Sequence, residues 1–219
     1  MLETHVIETG PNPGTTLIVL HGLGADGYDF VPICGELDLK ALGAVRFVFP
    51  HAPERPVTIN GGYVMRAWYD ILGADLVKRE DEAGLRASLA EVDALIGREK
   101  ARGIPASRIV LAGFSQGCAM ALLTGLRHAE RLAGIVGLSG YLPLAATLEA
   151  ERSGANRDVP IFLAHGRQDP VISYARGVAA RDALVALGHA VDWHEYPMPH
   201  SVCAEEIADL NRWLLRVLA

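Results

Sequence analysis

Three residues of this chain have the types and the order that acyl-transfer chemistry needs: Ser115, Asp169 and His200. Ser115 is the centre of Gly113-Phe114-Ser115-Gln116-Gly117, a G-x-S-x-G pattern set between the apolar run RIVLA and the helical run AMALLTGLRHA. A tight turn between strand and helix would strain the backbone at the serine and lift its hydroxyl out of the sheet. Glycines would be needed on both sides because a side chain there would strike the neighbouring strand or helix. The competing reading makes Ser115 an ordinary helix cap, a role that serine favours. The pattern alone is only suggestive, and its strand–turn–helix setting argues for the nucleophile.

A serine hydroxyl is a weak nucleophile until a base takes its proton, so a histidine and an orienting carboxylate must follow. FLAHGRQDPVI presents Asp169 just past a strand, and EYPMPHSVCAEEI presents His200 before the last helix. The order Ser, Asp, His is that of hydrolase-type sheets. His165 ends a strand but precedes Asp169, so it is expected to pack or hydrogen-bond within the turn. His194 lies inside a strand, and Asp158 precedes its strand and falls on the opposite edge. A metal site built from His165, Asp169 and His200 has no helical H-x-x-x-H or cysteine spacing behind it. The oxyanion formed in acyl transfer needs two donors, for which the amide of Gln116 and that of Leu23, in the glycine turn HGLG (21–24), are the candidates.

These residues require a particular scaffold. TTLIVL (15–20), VRFVF (45–49), RIVLA (108–112), AGIVGL (133–138) and PIFLA (160–164) read as buried parallel strands, and the more alternating VDWHEY (191–196) as a strand nearer an edge. Residues 81–102 place Leu85, Leu89, Val92 and Ile96 on one helical stripe, with Gly103 and Pro105 as the stop. Residues 116–127, 174–187 and 203–218 read as further helices, and LHGLGADGYDF (20–30) as a glycine-rich turn running into another. The alternation predicts an open, mostly parallel α/β sheet with helices on both faces, whose ligands bind at the carboxyl ends of the strands. The stretch 50–80 is long for a connection and shows little regular pattern; ordered loops of this length are often functional.

The chain has 219 residues, half of them apolar and 21% charged, which suits one globular domain over 1–219. A net charge of −6 without a basic cluster argues against nucleic acid and polybasic membrane docking. No apolar run approaches the roughly 18 residues of a membrane span, and the opening MLETHVIETG does not read as a secretory signal. Cys34, Cys118 and Cys203 are widely spaced, odd in number and without C-x-x-C, which suggests reduced thiols and a cytoplasmic protein.

HGLGADGYDF, PHAPERPVTINGGYVMRAWYDI, REDEAGL, GFSQG, LSGYLP, HGRQDPVI and YPMPH together resemble, in order and spacing, the small carboxylesterase/acyl-protein thioesterase family of α/β-hydrolases, bacterial carboxylesterases in particular. The resemblance spans nearly the whole chain. It implies a triad of Ser115, Asp169 and His200, an oxyanion hole from Leu23 and Gln116, no cofactor and no metal. It also implies an apolar acyl groove open to solvent without a large lid domain, with Tyr28, Trp68, Leu72 and Val171 as candidates for its lining; Trp68 could instead anchor the long loop. Two departures stand out: Cys118 where the family continues with glycine, expected to pack as a small apolar residue, and Pro199 where glycine precedes the histidine, a change that could reorient that loop. The expected activity is hydrolysis of small or medium carboxylic esters through an acyl-enzyme. Thioesterase action on acylated proteins or long-chain acyl groups is the alternative within the class, and a non-catalytic binding protein on this scaffold is the alternative outside it. The edge strand and last helix could support a homodimer.

Overall fold

The computed structural model describes residues 2–73 and 79–219. The chain opens with β1 (Thr4–Glu8) and β2 (Thr15–Leu20), then passes a short helix α1 (Ile33–Glu36) into β3 (Val45–Pro50). A hairpin of β4 (Glu54–Val57) and β5 (Tyr63–Arg66) follows. From there helices and strands alternate: α2 (Glu82–Ala101), β6 (Ile109–Phe114), α3 (Gln116–Gly125), β7 (Gly134–Leu138), α4 (Ala145–Glu151), β8 (Ile161–Gly166), α5 (Tyr174–Ala186), β9 (Val191–Tyr196) and α6 (Ala204–Leu218).

Among the described residues, a seven-stranded sheet runs in the order β1-β3-β2-β6-β7-β8-β9. All its pairings are parallel except that of β1, which lies antiparallel on β3 with Thr4 opposite Pro50. The period of two along each strand sorts the apolar side chains into two cores. Ile18, Leu20, Val48, Ile109, Leu111 and Ile135 face α2, α3 and α5. Leu17, Val19, Phe47, Val110 and Val136 face α1 and α6. Every residue of β2, β3 and β8 is buried, as near-continuous apolar runs require when both faces are covered, whereas β9 is mostly half-buried at the edge.

At the amino ends of β2 and β3 a polar knot, buried at Thr16, Arg46 and Glu99, ties four elements together. Glu99 of α2 accepts from Thr16 Oγ1 of β2 (2.9 Å) and pairs with Arg46 of β3 (3.0 Å), and Arg46 also reaches Glu8 of β1. Helix α2 begins at Asp81, whose carboxylate accepts from the Gly84 amide (2.9 Å) and the Asp70 amide (2.9 Å). At the carboxyl ends lie the loops after β6, β8 and β9, the segments that carry Ser115, Asp169 and His200.

β1, the β4–β5 hairpin and α4 escaped the sequence reading. β1, THVIE, is a short edge strand with only two apolar residues, adjacent and without alternation, too weak a pattern to separate from a loop. The 50–80 stretch holds the β4–β5 hairpin, whose first strand contains Pro56; residues 74–78 of that stretch lie outside the described residues. The glycine-rich segment stays in turns as far as Pro32, and only one helical turn, α1, follows.

Candidate active site

The backbone at Ser115 has φ 56° and ψ −116°, a region that non-glycine residues seldom enter. Its neighbours explain how this is held. A Cβ on Gly113 would stand 2.1 Å from the Gly117 carbonyl oxygen, and one on Gly117 would stand 2.1 Å from that of Leu20. Both glycines of G-x-S-x-G are therefore demanded by backbone-to-backbone approach. The Ser115 amide donates to the Leu138 carbonyl (2.9 Å), which pins the turn to β7. The Ser115 side chain makes no capping bond to α3, so the cap reading does not describe this serine.

Its hydroxyl faces His200. His200 Nε2 lies 2.9 Å from Ser115 Oγ, and Nδ1 lies 2.7 Å from Asp169 Oδ2. A carboxylate only accepts, so Nδ1 carries the proton and Nε2 is left as acceptor for the serine hydroxyl. The other Asp169 oxygen accepts from the amides of Val171 (2.8 Å) and Ile172 (2.9 Å). The Asp169 side chain is fully buried, and that of His200 is only 15% exposed.

His165, the residue one strand end away, is spent elsewhere: its Nε2 donates to the Ile172 carbonyl (2.8 Å), bracing the loop that presents Asp169. Burial lowers its pKa, so it stays neutral. Gly177 of α5 packs so closely that a Cβ there would stand 2.4 Å from His165 Nδ1. The three residues weighed as metal ligands are thus used up in hydrogen bonds with each other and with the backbone.

The loop carrying Leu23 closes against the elbow, since a Cβ on Gly22 would be 3.3 Å from Ser115 Cβ. Among the described residues, neither the Leu23 nor the Gln116 amide has a hydrogen-bond acceptor in the chain. Two histidines hold this loop. The Ala52 amide donates to His21 Nε2 (3.0 Å), which leaves the proton on Nδ1 to be donated to the Gly22 carbonyl (2.7 Å). The Gly27 amide donates to His51 Nδ1 (3.1 Å). Burial lowers the pKa of His21, the state its accepting Nε2 requires. The Gln116 side chain adds a clamp, accepting from the Trp68 amide (2.8 Å) and donating to the Tyr69 carbonyl (2.8 Å). Reading HGLG for its glycines alone missed His21; the signal was an imidazole immediately before the glycine turn.

The four lining candidates do not come together. Trp68 is wholly buried, its indole N–H donating to the His21 carbonyl (2.9 Å), so it anchors the long loop and does not face a groove. Tyr28 is exposed and its ring packs beside His5 and His51. Val171 projects into solvent next to the Asp169 loop, and Leu72 is half-buried. None of the four lines the open groove of about 810 Å³ that has His200 in its wall; Phe30, Ile33, Phe114, Val202 and Ile207 do.

Cys118 is buried in α3, where burial pushes its thiol up to about 12, and Gly140 leaves room for it: a Cβ there would stand 2.4 Å from Cys118 Cβ. Pro199 lies between Met198, whose carbonyl accepts from the Gln168 amide, and His200, with its own carbonyl accepting from Ser201. The segment leading to His200 is tied to the β8 loop by the Arg167 and Gln168 amides, which donate to the Tyr196 and Met198 carbonyls, and the proline leaves the imidazole within reach of Ser115 and Asp169.

Residues 2–218 match the profile of the phospholipase/carboxylesterase family. The chain is 42% identical over 204 residues to acyl-protein thioesterase 1 of Yarrowia lipolytica, covering 91% of this chain and 90% of that protein. It is 42% identical over 235 residues to acyl-protein thioesterase 1 of Mycosarcoma maydis, covering 100% and 98%. The crystal structure of acyl-protein thioesterase 2 of Zea mays superimposes with a TM-score of 0.86 at 32% identity, covering 99% of both chains.

Proposed function

This chain belongs to the phospholipase/carboxylesterase family and is an α/β-hydrolase acting on esters or thioesters, and from that premise we propose that Ser115, His200 and Asp169 perform its chemistry. The carrying observation is the hydrogen-bonded chain from Ser115 Oγ through His200 to Asp169, 2.9 and 2.7 Å, on a serine held at positive φ. Ser115 Oγ attacks the acyl carbonyl while His200 Nε2 takes its proton. Asp169 keeps the imidazole in the required tautomer and stabilises the imidazolium. The tetrahedral oxyanion is met by the amides of Leu23 and Gln116, the latter at the positive end of α3. His200 then protonates the departing oxygen or sulfur, and water repeats the sequence on the acyl-enzyme.

Carboxylic esters and thioesters pass through the same intermediate. The names of the fungal relatives favour a thioester on an acylated protein, while the motif set favours small or medium acyl esters. Three cysteines that form no disulfide support placement in the cytoplasm, and the edge strand β9 with α6 supports pairing of two copies. Among the described residues no helix is long and apolar enough to cross a membrane. The two cores share every central strand, which supports one domain over 1–219. A fluorophosphonate probe tests the nucleophile: it should add to Ser115 of the wild type and leave Ser115→Ala unmodified by intact mass. Labelling of another residue, or none, would contradict the assignment.

A further inference from the structure

The groove beside His200 is lined by none of Tyr28, Trp68, Leu72 and Val171 and has a definite chemical character. It is open, about 810 Å³, and lies between the 29–36 segment and the start of α6. Its floor is apolar: Phe30, Ile33, Phe114, Val202 and Ile207. The Phe114 ring is 4.7 Å from the His200 ring, and the Phe30 ring is 5.6 Å from that of Phe114, so a strip of aromatic surface leads away from the imidazole. Its charged lining residues are Asp29 and Glu36, both exposed and, among the described residues, neither ion-paired; no Lys or Arg lines it.

The direction of proton transfer decides which half of a substrate this groove receives. His200 must hand its proton to the leaving group as the acyl–oxygen or acyl–sulfur bond breaks, while the acyl carbon stays bonded to Ser115. The departing atom therefore lies on the imidazole side, and what is attached to it extends along the wall that His200 and Phe114 share. Aromatic faces and uncompensated carboxylates both favour a cation.

We propose that this groove is the leaving-group site and that it selects alcohols or thiols carrying an ammonium group close to the scissile bond, of the choline type. The inference rests on the Ser115–His200–Asp169 reading above. Phe30 and Phe114 would hold the cation near His200, and Asp29 and Glu36 would set the charge preference. The acyl chain would lie outside this groove.

The full-length chain would be assayed with three esters of one acid: butyrylcholine, its uncharged carbon isostere 3,3-dimethylbutyl butyrate, and methyl butyrate. Intrinsic reactivity differs between esters, so the readout is the change in the kcat/KM ratio on mutation. Asp29→Asn with Glu36→Gln should lower the ratio of the charged ester to its isostere by roughly fivefold, through the charged ester alone. Ala208→Trp, which fills the groove from α6, should slow both bulky esters, spare methyl butyrate and leave acyl-length preference, read on methyl esters from acetate to octanoate, unchanged. An unaltered ratio in the charge variant would overturn the cation preference. A shift in acyl-length preference in Ala208→Trp would overturn the leaving-group assignment, placing the acyl chain in the groove. Absence of wild-type turnover for every ester would remove the ester hydrolysis on which the proposal rests, an outcome distinct from either.

Discussion

Ser115 is held in a conformation that costs about 1–3 kcal/mol and persists because its surroundings over-determine it. Gly113, Gly117, the Leu138 carbonyl and the first turn of α3 are those surroundings. Gly117→Ala would push a methyl to 2.1 Å from the Leu20 carbonyl oxygen; the expected result is a displaced elbow, with kcat falling by orders of magnitude and Tm dropping. Near-wild-type kcat in that variant would show that the turn is not held as described. Asp169→Asn tests a different property. The amide would donate where a carboxylate accepts, turning His200 to the wrong tautomer, and kcat should fall roughly 10⁴-fold with the fold intact by circular dichroism. A loss under tenfold would remove Asp169 from the orienting role.

Helices and strands contribute positions, and each has its own test. Asp81 caps α2 and also binds the Asp70 amide, so Asp81→Ala should cost about 1–2 kcal/mol in urea unfolding, with esterase kcat unchanged. In α6, Glu206 is wholly buried three residues past Cys203, and burial pushes its carboxyl up to about 8. The native chain then keeps a proton that the unfolded chain releases above the ordinary 4.5, so this residue makes stability fall as pH rises from there to about 8. Glu206→Gln should raise Tm relative to wild type more at pH ~9 than at pH ~5; an equal difference at both would contradict this account. The central strands, the long helices and the order Ser115, Asp169, His200 were legible because apolar runs and turn residues are local signals, whereas the short α4 was not read. The edge strand β1 and the β4–β5 hairpin were not, since their pairing depends on partners elsewhere in the chain. Trp68 illustrates the same limit: a tryptophan in a loop reads equally as lining or anchor, and only its bond to the His21 carbonyl decides.

Across the whole molecule, the parallel sheet collects three separated loops on one edge while the Glu99–Arg46 knot locks the opposite end. His21, His165 and His189 are all held below their ordinary pKa by burial, so the unfolded chain takes up protons before the native one. Their contribution is present above pH 6.5, the ordinary value, and is lost as pH falls below it. In the Glu206→Gln background, where the opposing carboxyl is gone, Tm should climb from pH ~5 to pH ~7; a flat profile would contradict neutral, buried imidazoles. The most direct measurement is hydrolysis of p-nitrophenyl esters from acetate to palmitate by wild type beside Ser115→Ala. The account requires wild-type turnover with a peak at some chain length, and loss of at least roughly 10³-fold in the variant at every length. Equal rates in the two proteins would contradict the nucleophilic serine on which everything at this edge of the sheet depends.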